Sequence, residues 1–240
     1  MANKIEHKAP HLKRCLRELA DPERRRSTQR FFKEPVRCLG VTVPDIRALA
    51  GEAAKEYRRI KLEFEAILAI ADRLWRGGIL EERILAVVIL SKFKRSLDSG
   101  HWDHLDGWVD GLTNWGETDG LCSEVLAPLI AREPSLVADL SAWTRASSRW
   151  RRRAAAVALV KAARVGDHHG AAFEICDRMA EDRDDMVEKA VGWLLKEMSR
   201  TEPDRVAEYL LANINRLSRT TVRYACEKLP AGLRQTVMSA

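Results

Sequence analysis

The chain has 240 residues, of which 46% are hydrophobic and 32% charged. This balance is typical of a folded globular protein and argues against intrinsic disorder, and no apolar run approaches the ~18 residues of a membrane-spanning helix. Lys and Arg number 41 against 35 Asp and Glu, a formal net charge of +6. The excess fits a polyanionic partner such as nucleic acid without requiring one.

Helical periodicity extends along almost the whole chain. The first 60 residues predict two or three helices, interrupted at Cys38–Asp45, where Pro44 and its polar neighbours predict a helix restart with Asp45 near the first turn. From residue 62 the helices come in pairs. The predicted pairs are Leu62–Arg76 with Leu80–Lys94, Trp102–Gly111 with Thr118–Ala131, Ser135–Arg145 with Trp150–Arg164, Ala171–Ala180 with Asp185–Arg200, and Pro203–Ala212 with Ser218–Leu229.

A repeat of about 35 residues made of two antiparallel helices is typical of an α-solenoid. We therefore predict an all-α fold, a right-handed α-solenoid of HEAT-like helix pairs with a concave basic face. No segment is long or polar enough to act as an interdomain linker. We predict one domain over residues 1–240, with N-terminal helices in 1–60 and paired-helix repeats in 62–229.

When the second helices of the repeats are aligned, one equivalent position contains most of the candidate functional residues, and we call this set of positions the column. At spacings of 36, 34, 36 and 34 residues the column contains Arg83, Asp119, Arg153, Lys189 and Arg223. Neighbouring repeats place such positions roughly 10 Å apart. The Arg and Lys side chains of the column predict a row of contacts to backbone phosphates, to which Arg151 and Arg152 would add. The alternative is that these side chains only occupy solvated helix faces.

Asp119 is an acid at a position where the other repeats carry a base. One interpretation is structural, because a carboxylate in the first turn of a helix interacts favourably with the helix dipole. The other is catalytic: an ionised carboxylate among arginines would stabilise a positively charged transition state or orient an attacking water.

Two tryptophans lie one helical turn from column positions. Trp115 precedes Asp119 by four residues, and Trp193 follows Lys189 by four. If the helix begins early enough, Trp115 and Asp119 share one face, and an exposed indole attracts cations. Packing is the alternative role for both indoles, and the one we expect for the other five tryptophans.

The cysteines and histidines show no metal-binding or catalytic pattern. The five cysteines are scattered without a CxxC pair, which predicts buried, reduced thiols, and the histidines lack zinc-ligand spacing. No phosphate-binding or dinucleotide-binding glycine motif occurs. The N-terminus lacks an apolar signal core. We expect a cytoplasmic monomer without a metal, a cofactor or a membrane partner.

Four segments resemble the AlkD-like DNA alkylation repair family, HEAT-like repeat DNA glycosylases, over nearly the whole chain. In chain order they cover residues 39–44 (LGVTVP), 114–119 (NWGETD), 150–155 (WRRRAA) and 188–197 (EKAVGWLLKE). The family's catalytic aspartate falls on Asp119, its two cleft tryptophans on Trp115 and Trp193, and its cleft arginine on Arg153. Phe31 stands where a tyrosine is expected near the DNA.

The resemblance implies hydrolysis of the N-glycosidic bond of N3- and N7-alkylated purines in double-stranded DNA. Asp119 would stabilise the oxocarbenium-like transition state and position water, the indoles of Trp115 and Trp193 would flank the sugar, and Arg153 with the basic column would hold phosphates. Two other classes remain open. A related solenoid without catalysis could recognise bent or branched DNA, and the presence of Asp119 favours the enzyme over that reader. The third class is a protein-binding scaffold, a common use of α-solenoids, which would more often show an apolar or acidic groove than a basic one.

Overall fold

The computed structural model describes residues 6–240, and throughout this range the chain forms helices and no β-strand. The all-α prediction is confirmed. The chain divides into two compact units, Met1–His101 and Trp102–Ala240. The right-handed course, the concave basic face and the single domain over 1–240 stay predictions.

The first unit contains five helices among its described residues. They are α1 Lys8–Glu18, α2 Pro22–Gln29, α3 Val43–Arg59, α4 Phe64–Trp75 and α5 Leu80–Lys92. Short 3-10 turns follow at Lys94–Ser96 and Ser99–His101. Helix α5 packs against both α3 and α4, and α1 packs against α4. The first predicted pair, residues 62–94, is therefore confirmed with small changes at its ends.

The second unit contains the remaining helices. They are α6 Trp102–Asp110, α7 Trp115–Leu121, α8 Ala127–Ile130, α9 Val137–Trp143, α10 Arg149–Val157, α11 Val160–Ala163, α12 His169–Arg178, α13 Asp185–Met198, α14 Pro203–Ala212, α15 Arg219–Ala225 and α16 Ala231–Ser239. Helices α7, α10, α13 and α15 pack against one another in chain order. Helix α9 packs on α10, α12 on α13 and α14 on α13, as expected when successive helix pairs share one core.

The segment Leu39–Val41 of the first unit wraps a buried carboxylate. Backbone N–H groups of Leu39 and Gly40 donate to Glu81 at 2.8 and 2.7 Å. Gly40 has φ +84°, and a Cβ there would lie 2.3 Å from the Asp21 carbonyl oxygen. Glycine is therefore required at this turn. Helix α3 then restarts at Val43 with Asp45 in its first turn, as predicted.

A π-helical turn, Cys122–Leu126, interrupts the second helix of its repeat directly after α7. Pro128 lies in the following turn and has no N–H to donate to a carbonyl of the preceding turn. Lys161 donates to the Ser123 carbonyl at 2.6 Å. We infer that the proline causes the wider turn and that Lys161 satisfies an oxygen left without its helical partner.

Glu197 of α13 is a buried carboxylate held by two arginines. The Nε atoms of Arg164 and Arg200 donate to it at 2.8 and 2.6 Å. Burial raises the pKa of Glu197, but these hydrogen bonds outweigh burial and hold its pKa below the ordinary value. A depressed carboxyl pKa contributes stability that is present above the pKa of the unfolded chain and is lost as the pH falls through the folded value.

Replacing Glu197 by Gln should therefore lower the free energy of unfolding at pH 7 and matter less in acid. The difference in unfolding free energy between wild type and Glu197→Gln should decrease below about pH 4.3, the ordinary glutamate pKa. Urea unfolding at pH 7 and pH 3 measures it, with Glu208→Gln at an exposed glutamate as control. An equal gap at both pH values would contradict the charged role of Glu197.

Candidate active site

The four successive second helices of the second unit begin in the same way. Each has a side chain that caps its first backbone N–H groups, and these N-caps are Asn114, Ser148, Asp184 and Ser218. The predicted column lies five residues after each cap, at Asp119, Arg153, Lys189 and Arg223. A shared cap position gives the helices a common register, so these side chains occupy equivalent sites on stacked repeats.

Arg153 clamps Asp119 through both carboxylate oxygens. Its Nε donates to Oδ1 at 2.8 Å and its Nη2 to Oδ2 at 2.9 Å. Its Nη1 donates to the Met186 carbonyl at 2.6 Å. The planar guanidinium thus spans α7, α10 and α13, and such a fork fixes the carboxylate more firmly than a single bond would.

The two members of this pair differ in exposure. Arg153 is buried, with 7% of its surface accessible, whereas the Asp119 side chain keeps 22%. Each carboxylate oxygen has about two lone-pair sites, and Arg153 takes one on each. Asp119 is thus rigid and still open to a ligand or water.

Helix α7 begins at Trp115, three residues before the predicted start. Asn114 Oδ1 accepts from the Glu117 N–H at 3.0 Å, which fixes the first turn. Asp119 therefore lies in the second turn, so the first-turn dipole interpretation does not apply to it. Trp115 lies four residues earlier on the same helix, which puts both side chains on one face, and it is half-buried.

Trp193 is also half-buried, on α13 one turn after Lys189. The preceding Gly192 lets α13 approach α15 closely: a Cβ there would lie 2.6 Å from the Tyr224 Cβ and 2.8 Å from the Thr221 carbonyl oxygen. A glycine beside Trp193 thus fixes the position of the helix that carries this indole.

Cys122 lies one turn after Asp119 but is no nucleophile. Its thiol is buried and within 3.7 Å of the Ala154 carbonyl oxygen. Burial, together with the nearby Asp119 charge, raises its pKa well above the usual range. Since the thiolate is the reactive form, Cys122 is held in its unreactive thiol form.

Arg151 and Arg152, predicted to bind DNA, make several contacts within the protein. Arg151 bonds Asp106 and Asp110, each at 2.6 Å, and lies over the Trp143 ring. Arg152 bonds Asp182 at 2.6 Å and donates to the carbonyls of residues 146 and 147. Both guanidinium groups therefore hold neighbouring loops and helices together, and their phosphate contacts stay predictions.

The other predicted DNA-binding residues are placed in different ways. Lys189 is partly exposed and lies 3.3 Å from Asp185. Arg223 is exposed, and within residues 6–240 it forms no ion pair. Arg83, in the first unit, is 9% accessible, donates to the Trp75 carbonyl at 3.1 Å and lies over that indole. Arg83 departs from the column's register because it follows the cap position, Ile79, by four residues.

Phe31, also in the first unit, is 72% exposed. It follows α2, a helix with no buried residue and with exposed Arg24, Arg25 and Arg26. Arg30 precedes it directly and is exposed as well. An exposed aromatic ring beside a run of arginines is a surface suited to nucleic acid.

The sequence interpretation missed the partners of the arginines. Arg149 forms ion pairs with Asp184 at 2.8 Å and with Asp185 at 2.7 Å, and Arg153 donates to the Met186 carbonyl. The signal was present: the basic run 149–153 and the acidic residues 182, 184 and 185 are one repeat apart. Opposite charges at that separation predict contact between neighbouring repeats.

A model of the DNA alkylation repair enzyme family matches residues 12–229. The chain belongs to the DNA alkylation repair enzyme family. The resemblance drawn from the four sequence segments is confirmed, and the family match spans both compact units.

Two solved structures resemble this family member. One is a predicted DNA alkylation repair enzyme from Enterococcus faecalis, with 17% identity, a TM-score of 0.79, and coverage of 88% of this chain and 97% of that one. The other is smu.31 from Streptococcus mutans UA159, with 16% identity, a TM-score of 0.55, and coverage of 77% and 100%. At these identities the likeness shows the fold alone. No curated protein matches the chain.

Within residues 6–240, no helix combines the length and the apolar character needed to cross a membrane. In the same range, no three His, Cys, Asp or Glu side chains are grouped so that they could hold a metal ion. The cytoplasmic location and the monomeric state stay predictions.

Proposed function

We propose that this protein is a DNA glycosylase that hydrolyses the N-glycosidic bond of cationic N3- and N7-alkylated purines in duplex DNA. The observation that carries the proposal is the Asp119 carboxylate, clamped through both oxygens by Arg153 and still partly exposed. Membership in the DNA alkylation repair enzyme family supports alkylated DNA as the substrate.

The reaction suits a site with one carboxylate. Alkylation at N3 or N7 makes the purine cationic, so when the bond from C1′ to the base nitrogen breaks, the electron pair neutralises the leaving base. No strong general acid is needed. The sugar becomes oxocarbenium-like, and an anion near it lowers the barrier, as in glycoside hydrolysis. Water then adds to C1′ and loses a proton, which Asp119 can accept.

The clamp gives Asp119 the rigidity that such stabilisation requires. Preorganised charge is effective because it needs no rearrangement as the transition state forms. Arg153 contacts the carboxylate on one side only, and the remaining lone pairs can face the sugar or a water. We assign Arg153 as a positioning residue for Asp119, in place of the phosphate contact expected from the sequence.

Trp115 and Trp193 complete the proposed site as flanking indoles. An indole face attracts positive charge, so rings beside the deoxyribose favour the oxocarbenium-like state. Both side chains are half-buried, which holds them in place while leaving part of each ring accessible.

Double-stranded DNA would be bound mainly through its phosphates. Among the predicted cations, Lys189 and the exposed Arg223 are the best placed, whereas Arg83, Arg151 and Arg152 have structural contacts. The exposed ring of Phe31 would touch the sugar or base edges, flanked by the arginines of α2.

Replacing Arg153 by Lys should separate the two roles proposed for this residue. Lysine keeps the charge but cannot form the two-pronged contact or reach Met186 at the same time. We expect excision to slow by up to about 10²-fold, the cost of a catalytic group displaced by about 1 Å, while the salt dependence of DNA binding stays unchanged. Because lysine would keep a phosphate contact, that role is tested with Arg153→Ala. A salt slope reduced by about one unit in Arg153→Ala, with normal excision by Arg153→Lys, would assign Arg153 to a phosphate instead.

The proposed activity is tested by single-turnover release of 7-methylguanine from a defined duplex. Release supports the glycosylase. Tight, salt-sensitive DNA binding without release of methylated or bulkier bases would favour a non-catalytic reader of bent or branched DNA. Absence of salt-dependent DNA binding would favour a protein-binding scaffold.

A further inference from the structure

Three charged side chains at the start of α10 and α13 share one ion-pair network. Asp185 accepts from the Arg149 Nη2 through Oδ1 at 2.7 Å, and its Oδ2 lies 3.3 Å from the Lys189 Nζ. One carboxylate thus bridges two cations, each through its own oxygen. The side chains of Arg149, Asp185 and Lys189 are 28, 32 and 33% exposed, so this network is open to solvent.

The network borders the candidate active site. Asp185 is followed directly by Met186, whose carbonyl holds Arg153 at 2.6 Å. Lys189 belongs to the column of Asp119 and lies one turn before Trp193. An anion bound between Arg149 and Lys189 would therefore lie next to the groups proposed to act on the sugar.

Arg149 also contacts Asp184 and Trp150. Its Nε lies 2.8 Å from Asp184 Oδ2, and its guanidinium carbon lies 5.2 Å from the centre of the Trp150 ring. Asp184 in turn caps α13 by accepting from the Met186 N–H at 2.9 Å. The guanidinium of Arg149 thus has two contacts besides Asp185.

We propose that Arg149 and Lys189 form a subsite for one DNA backbone phosphate, and that Asp185 occupies this subsite as a phosphate mimic in the free protein. The inference rests on the proposed binding of DNA. A phosphate offers the same arrangement, two anionic oxygens facing two cations. Binding of the phosphate must displace Asp185, because the carboxylate charge otherwise repels the phosphate. Asp185 therefore lowers the affinity for undamaged DNA.

The other arginines of α10 lack this arrangement. Within residues 6–240, the aspartates that Arg151 and Arg152 bind pair with no second cation, whereas Asp185 bridges Arg149 and Lys189. A phosphate in the place of Asp185 would therefore face two cations, and one in the place of the other aspartates would face a single arginine.

The test is the affinity of Asp185→Asn for an undamaged duplex of defined sequence, measured across a salt series. We expect binding about two- to fivefold tighter than wild type, the range of an exposed ion pair. Asp139→Asn is the matched control, because Asp139 is an exposed aspartate in the first turn of α9 of the same unit. Both variants change the net charge equally, so general attraction to DNA is matched.

A second arm asks whether Asp185 acts through Arg149. In an Arg149→Gln background, adding Asp185→Asn should give no more gain than adding Asp139→Asn, because half of the subsite is gone. Asp185→Ser serves as a second substitution at this position. Thermal unfolding of both Asp185 variants and wild type shows whether a change in DNA affinity reflects a folding defect.

The outcomes separate the subsite from the proposed function. If wild type binds DNA with steep salt dependence and Asp185→Asn gains no more than Asp139→Asn, the subsite is overturned and the function stands. A gain that persists without Arg149 overturns it as well. If wild type shows no salt-dependent DNA binding, both fall together.

Discussion

Replacing Asp119 by Asn should abolish most base excision while leaving the fold intact. Asparagine keeps the shape of the side chain and one oxygen for Arg153, but removes the negative charge that we propose stabilises the developing cation on the sugar. Loss of one preorganised electrostatic contact typically costs about 10²–10³ in rate. The measurement is single-turnover release of 7-methylguanine from a defined duplex.

Binding should respond differently from catalysis. DNA affinity should be unchanged or slightly raised in Asp119→Asn, because a negative charge near the phosphates is lost. Asp139→Asn makes the same chemical change at an exposed position on α9 and should excise at the wild-type rate. Excision by Asp119→Asn at the wild-type rate would remove Asp119 from the mechanism, whatever the activity of the control.

The helix pairs could be predicted closely because local signals agree. Apolar periodicity, turn residues and prolines at helix starts all place the same boundaries, and helices α13 and α14 begin at the predicted residues 185 and 203. The early start of α7 was missed because Gly116 is a poor helix former. The decisive signal is Asn114. It is the N-cap of α7, and Ser148 and Asp184 are the N-caps at the equivalent positions of the next two repeats.

The column of the candidate site was found from the sequence, but the partners of its residues were not. Repeat spacing aligns Asp119 with Arg153, yet it does not tell whether that arginine turns toward the carboxylate or toward solvent. The choice depends on packing: Arg153 is buried and receives a third contact from the Met186 carbonyl. Arg83 has the residue type and the spacing of the column. The N-cap of its helix, however, lies four rather than five residues before it, and its guanidinium donates to the Trp75 carbonyl.

Charge composition likewise does not reveal which cations pair within the protein. The excess of six positive charges is a property of the whole chain. In the second unit, Arg149, Arg151 and Arg152 each pair with aspartates of the neighbouring repeat or helix. Asp185, which bridges Arg149 and Lys189, is the carboxylate that we propose an anion displaces.

Replacing Gly192 by Ala should destabilise the protein and impair the site together. The added Cβ would lie 2.6 Å from the Tyr224 Cβ and 2.8 Å from the Thr221 carbonyl oxygen. A backbone oxygen cannot rotate away, so α13 and α15 must separate. Overpacking of this kind costs about 1–3 kcal/mol of unfolding free energy, measured by urea unfolding.

Gly107→Ala is the matched control, because Gly107 is exposed inside α6 and a Cβ there meets nothing within 4 Å. That variant should be stabilised by up to about 1 kcal/mol, the helix preference for alanine. In Gly192→Ala the displaced α13 carries Lys189 and Trp193, so excision should fall further than the loss of folded protein explains. Equal stability of the two variants would mean that the α13–α15 contact tolerates a methyl group, and Gly192 would then have no role in placing Trp193.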